Sequence, residues 1–84
     1  MFYVYILYSE KFDVYYIGQT RDLDKRLLHH NSGLDNFTRK YMPWVLVLSI
    51  VKNSRSEALQ LEKKLKNLSG FRLKIFISKN SQSK

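Results

Sequence analysis

Two runs of β-forming residues, Phe2 to Tyr8 and Val14 to Gln19, stand only five residues apart in a chain of 84. The residues between them, Ser9, Glu10, Lys11, Phe12 and Asp13, form a short polar connection, so the runs read as an antiparallel hairpin. Opposing Tyr8 to Asp13 sets Tyr5 against Tyr16, with both rings on one face. A chain of this length makes one small domain and buries only about 60% of its unfolded surface, so its core must be economical. Hydrophobic residues at 44% and aromatic residues at 14% describe a globular chain and exclude overall disorder.

Beyond the hairpin, Thr20 or Asp22 can cap a helix over Leu23 to Asn31, and Gly33 can end it. Leu34 to Met42 is a polar, basic connection. Pro43 and Trp44 then open Val45 to Val51, an apolar run with the length of a strand buried on both faces. Asn53 and Ser54 punctuate it before a second helix, Ser56 to Leu68, whose stripe is Ala58, Leu61, Leu65 and Leu68. Phe71 to Ile77 fits either a strand or a helix, and its spacing favours a short third helix. Ser78 to Lys84 reads as a frayed polar tail, so the expected boundaries are a domain over 1–78 and a tail over 79–84.

No cysteine is present, which excludes a disulfide framework, a thiol nucleophile and Cys-built metal sites. The two histidines, His29 and His30, are adjacent and too few for an imidazole-rich metal site. Met1 to Tyr8 lacks the basic flank and cleavage site of a signal peptide, and no run approaches a membrane span of about 18 apolar residues. These features predict a soluble cytoplasmic protein.

Charge alone points to a polyanion, either nucleic acid or an anionic membrane surface. The net charge is +8, from fifteen Lys and Arg against seven Asp and Glu. Residues 1–51 carry six basic and five acidic groups (+1), while 52–84 carry nine and two (+7). A solvated helix face would account for that excess, and so would a surface that docks phosphates.

Polar groups fall where a core belongs. With about 100° per residue, Glu62 lies between Ala58 and Leu59, inside the buried arc, while Lys63, Lys64 and Lys66 point outward. A carboxylate there needs a cation, a metal or hydrogen-bond donors; a structural salt bridge or a rim position would also serve. Arg26 and His30, four residues apart, stack at the edge of the Leu23/Leu27 stripe; a lone His there is usually a satisfied core or rim residue, but stacked with Arg it makes a pair that can donate to phosphate. Tyr5 and Tyr16 bring phenols that need partners if buried.

These residues fall in an order that resembles a known family. Tyr3-Val4-Tyr5, followed about ten residues later by Tyr16-Ile17-Gly18, is similar to the paired signature of the GIY-YIG nuclease superfamily. The stretch from Gln19 to Asn31, then Pro43-Trp44, then Ser54 to Lys66, resembles its small stand-alone members, related to the UvrC N-terminal domain. Tyr3 stands where the family name has Gly. The resemblance spans about Tyr3 to Leu68 and implies an α+β fold: a small three-stranded antiparallel sheet flanked by two to three α-helices.

It also implies roles. Tyr5 would activate water with Tyr16 as its partner, Arg26 would bind the scissile phosphate, His30 would assist, and Glu62 would hold one divalent metal. A single carboxylate suits Mg²⁺ or Mn²⁺, hard cations that keep much of their hydration. A tyrosine with a reference pKa of about 10 is an awkward base and needs cationic neighbours or a relay, for which His30 is available. Arg39, Lys40, Lys63 and Lys66 are candidates for holding nucleic acid. Gly18 would permit a strand-to-helix turn and close backbone approach to the ligand. The expected function is a metal-dependent endonuclease acting on DNA, with RNA not excluded and no membrane partner; structure-directed cleavage, as in repair or recombination, is one form it can take. The competing readings are a non-catalytic nucleic-acid-binding module and a protein-interaction domain.

Overall fold

The computed structural model describes residues 1–80; the rest of the expected tail, 81–84, lies outside the described residues. Strands β1 (Phe2–Ser9) and β2 (Val14–Thr20) form the hairpin, followed by helix α1 (Leu23–Asn31) and a 3₁₀ turn, Thr38–Tyr41. Strand β3 (Val45–Lys52) leads to α2 (Arg55–Lys66) and α3 (Gly70–Asn80). The sheet is antiparallel with order β2-β1-β3, so the first strand is the central one. The α+β architecture is the expected one.

Because β1 is central, alternate side chains enter two separate cores. Val4 and Ile6 join Ile17, Ala58, Leu65 and Leu73 under α2 and α3. Tyr5 and Leu7 join Trp44 on the opposite face, with Leu23 and Leu27 of α1 packed against them. All four consecutive residues Val4 to Leu7 are buried, which only a strand covered on both faces allows.

That corrects the reading of Val45 to Val51 as a strand buried on both faces. β3 is an edge strand; Val45 and Val51 are about half exposed, at 54% and 48%. A run of apolar residues marks a strand without saying which strand takes the centre.

The hairpin register is also corrected. Tyr5 opposes Gly18, and Tyr16 opposes Leu7. The shift is two residues, which keeps the face, so Tyr5 and Tyr16 remain diagonal neighbours with ring centroids 6.3 Å apart. Tyr8 still reaches Asp13, but through its hydroxyl across the turn, at 2.8 Å.

Helix ends follow capping chemistry. Asp22 caps α1 by accepting the Lys25 N–H at 3.1 Å, and Gly33 adopts φ +77° just beyond its end. Ser54 caps α2 by accepting the Glu57 N–H, so α2 starts one residue earlier than expected and stops two earlier, at Lys66. The third helix forms as expected and runs longer, through Asn80. Residues 78–80, read as tail, are therefore helical, with Leu73 as their helix's buried anchor.

Candidate active site

Tyr5 is the hub of the α1 face. Its ring is 1% exposed, and its hydroxyl meets His30 Nε2 at 2.9 Å and accepts from Arg26 Nε–H at 3.3 Å. The Tyr16 phenol also favours the charged form of Arg26. The Tyr16 ring lies 4.8 Å from the imidazole of His30. Four of the five expected catalytic residues thus share one cluster: β1 and β2 supply the phenols, and α1 presents Arg26 and His30 from successive turns.

Gly18 makes room for the hub. It lies inside β2, not in a strand-to-helix turn, so the turn expected there is corrected. A Cβ at Gly18 would stand 2.6 Å from the Tyr5 hydroxyl oxygen and 3.2 Å from the Tyr16 ring. The glycine is required by the tyrosine it faces.

Of the two readings of His30, a satisfied core residue and a phosphate donor, the structure favours the first: it is fully buried, with Nδ1 3.0 Å from the hydroxyl of Thr38, itself fully buried. The Thr38 hydroxyl also lies close enough to the Asp35 carboxylate to help hold its charge. A carboxylate only accepts, so a Thr38 hydroxyl turned toward Asp35 is free to accept from His30 Nδ1–H. His30 Nε2 is then the acceptor for the Tyr5 hydroxyl. The order Tyr5 → His30 → Thr38 → Asp35 satisfies every donor along the path.

The electrostatics agree with that order. Burial, with the Arg26 charge, holds the His30 imidazole below its ordinary pKa, so the ring is neutral near pH 7. Burial pushes the Tyr5 phenol up to about 12, although the Arg26 hydrogen bond opposes the shift. Backbone N–H groups of Thr38 and Phe37 donate to the Asp35 carboxylate at 3.0 and 2.9 Å and hold its pKa below the usual range. Thr38 and Asp35 were missed from sequence. Their signal, an Asp three residues before a Thr in a polar connection, is an ordinary turn signature.

Glu62 comes from the other face. Its side chain is 16% exposed on α2, as its place in the buried arc implied. Oε1 accepts from the Gln19 amide of β2 at 3.0 Å, and Oε2 pairs with Lys66 Nζ at 2.9 Å. Its charge still reaches Tyr5, where it adds to the cost of a phenolate. The faces communicate around the β2 edge, where a groove of about 340 Å³ has Tyr16 among its walls at one side and Lys66 at the other. A second pocket, about 210 Å³, sets Lys25 and His29 beside Arg26. Arg39 and Lys40 stand exposed on the 3₁₀ turn, and Lys63 on α2.

A metal would find few protein donors here. Among the described residues no three His, Asp or Glu side chains converge. Glu62 alone offers a hard oxygen, which fits an ion keeping most of its water, provided the half-exposed Lys66 swings away.

Residues 1–74 match the family model of the GIY-YIG catalytic domain. The chain belongs to the GIY-YIG family. It is 37% identical over 67 residues to a UPF0213 protein of Streptococcus pneumoniae serotype 4, covering 79% of this chain and 68% of that protein. The solution NMR structure of a UPF0213 protein from Bacillus halodurans superposes with a TM-score of 0.64 at 33% identity. That likeness covers 99% of this chain and 89% of the other. As a GIY-YIG domain, the chain belongs among nuclease scaffolds whose substrate is nucleic acid. No helix among the described residues is long and apolar enough to cross a membrane.

Proposed function

We propose that this chain is a divalent-metal-dependent endonuclease that hydrolyses phosphodiester bonds in DNA. The observation that carries the reading is the placement of the Tyr5 hydroxyl between Arg26 and His30 Nε2, at 3.3 and 2.9 Å. A phenol held near pKa 12 is a poor base alone. Linked to a neutral imidazole, it can take a proton from water while passing its own to Nε2. The water oxygen attacks phosphorus, and the bond to the leaving oxygen breaks. The new imidazolium is stabilised by its Nδ1–H bond to Thr38 and by the Asp35 charge beyond.

Arg26 has guanidinium donors beyond the Nε–H on Tyr5, and they can fork onto phosphate oxygens. Lys25 and His29 extend that pocket. Glu62 would hold Mg²⁺ or Mn²⁺, which when bound neutralises phosphate charge. Arg39, Lys40 and Lys63 supply non-specific attraction that weakens with salt. The substrate would be recognised by its structure, as in repair or recombination, in the cytoplasm.

A second reading is favoured by one observation: both Glu62 oxygens already have partners in Gln19 and Lys66. A binding module would need no more. The two separate in a screen of plasmid, branched, flapped and single-stranded DNA with each metal. The nuclease reading expects cleavage that Glu62→Ala abolishes. Intact substrates, with salt-sensitive binding indifferent to Glu62→Ala, would leave only the binding module.

A further inference from the structure

Beside the hub, three aromatic rings continue outward from Tyr16. The Phe37 ring lies 6.3 Å from Tyr16, Tyr41 lies 5.4 Å from Phe37, and Phe12 meets Tyr41 edge-on at 5.4 Å. Phe37 and Phe12 are 52% and 45% exposed. Large rings so exposed contribute little to a core, and here they line one path leading to the candidate active site.

The path is firmly mounted. Phe37 immediately precedes Thr38, which is buried on His30, and its own N–H is fixed by Asp35. Cations interleave with the rings. Lys11 Nζ stands 5.7 Å from the Phe12 ring centre, and Arg39 and Lys40 are exposed on the turn after Phe37. Among the described residues none of these three is in an ion pair, while two nearby acids are engaged internally, Asp35 by its turn and Asp13 by the Tyr8 hydroxyl. Glu10 adds one exposed acid to the hairpin turn.

We infer that Phe37, Tyr41 and Phe12 form a stacking ledge for unpaired nucleobases, so that the preferred substrate presents single-stranded nucleic acid next to the scissile phosphate. The inference rests on the nuclease reading and narrows its substrate class. Half-exposed rings interleaved with cations suit a strand whose bases have left the duplex stack, because every base offers a π-face and every linkage a charge. A paired duplex keeps its bases inside and offers the ledge only its backbone. Arg26, inward of Phe37, would then hold the phosphate next to the stacked base.

The test is binding by wild-type protein in chelator, read by fluorescence anisotropy at low salt. The probes are a 12-mer of oligo-dT, the same length of oligo-U, and a 12-base-pair hairpin duplex. The expected result is oligo-dT bound at least about fivefold tighter than duplex, with that advantage lost in Phe37→Ala and in Phe12→Ala. Phe37→Leu keeps an apolar side chain against Tyr16 and guards against misfolding; with an unchanged circular dichroism spectrum it should lose most of the advantage too. Oligo-U bound with the same dependence on Phe37 supports the ledge equally. Equal binding of strand and duplex, an unaltered preference in Phe37→Leu, or self-association that disappears with Phe37 would overturn it. If the ledge fails while metal-dependent cleavage persists, the nuclease reading stands. Failure to bind any probe overturns the ledge, and it overturns the nuclease reading as well when metal-dependent cleavage is also absent.

Discussion

On the face of β1 that meets α2 and α3, every buried side chain is apolar: Val4, Ile6, Ile17, Ala58, Leu65 and Leu73. On the face that meets α1, a phenol, an imidazole and a threonine hydroxyl are buried beside Leu7 and Trp44. Both faces grow from the same strand, one residue out of step. The first face gains stability from area removed from water. The second gives up part of that gain to polar groups that burial tolerates best when paired, as the phenol, imidazole and threonine are; the buried Ser9 hydroxyl lacks a partner among the described residues. A small domain keeps such a network when it has a use beyond holding the fold.

The difference can be broken from either side. Tyr5→Phe removes the hydroxyl that joins Arg26 to His30; cleavage is expected to fall about 10²–10⁴-fold while the fold survives. An unchanged rate would take Tyr5 out of the chemistry. Leu65→Ala is the opposite case: unfolding in urea should show a loss of about 2–5 kcal/mol, with cleavage per folded molecule unchanged. If Leu65→Ala altered the chemistry of the folded fraction, the division of labour between faces would be wrong.

Gly18→Ala tests the boundary, since its Cβ would press on a tyrosine pinned by two hydrogen bonds. Overpacking of about 1–3 kcal/mol is expected in urea denaturation, together with reduced cleavage. Wild-type stability and activity would mean that the Tyr5 ring moves more freely than its bonds imply. The smallest effect is pH-dependent. The folded pKa of His30 lies below its unfolded value of about 6.5, so the unfolded chain binds more protons between the two. The His30 contribution is full above about pH 6.5 and is lost as pH falls toward the folded pKa. Melting temperature should therefore decline below that point, and the decline should flatten in His30→Gln; identical slopes in the two proteins would remove His30 as its cause.

Local chemistry was legible in the sequence, whereas arrangement across the sheet was not. The α1 boundaries follow from Asp22 and Gly33, and the inward placement of Glu62 follows from helical spacing alone. Face parity also survived, because a two-residue slip leaves Tyr5 and Tyr16 on the same side. The register itself depended on Gly18, whose missing side chain matters only once the Tyr5 ring lies over it. Nothing in Val45 to Val51 says that β1, not β3, takes the sheet's centre; that depends on which faces the helices cover. Thr38 and Asp35 were hidden for a similar reason, since their value comes from a buried imidazole that reaches them from another element.

The central claim is that the buried phenol acts through His30, and a pH–rate profile of DNA cleavage at saturating metal tests it most directly. A neutral imidazole as the proton's destination predicts a rate that is level from about pH 7 to 9 and falls on the acid side as His30 gains its proton. A rate that instead climbs about tenfold per pH unit across that range would show that ionisation of a group titrating above it drives the reaction. The Tyr5–His30–Thr38–Asp35 path would then be a structural feature only.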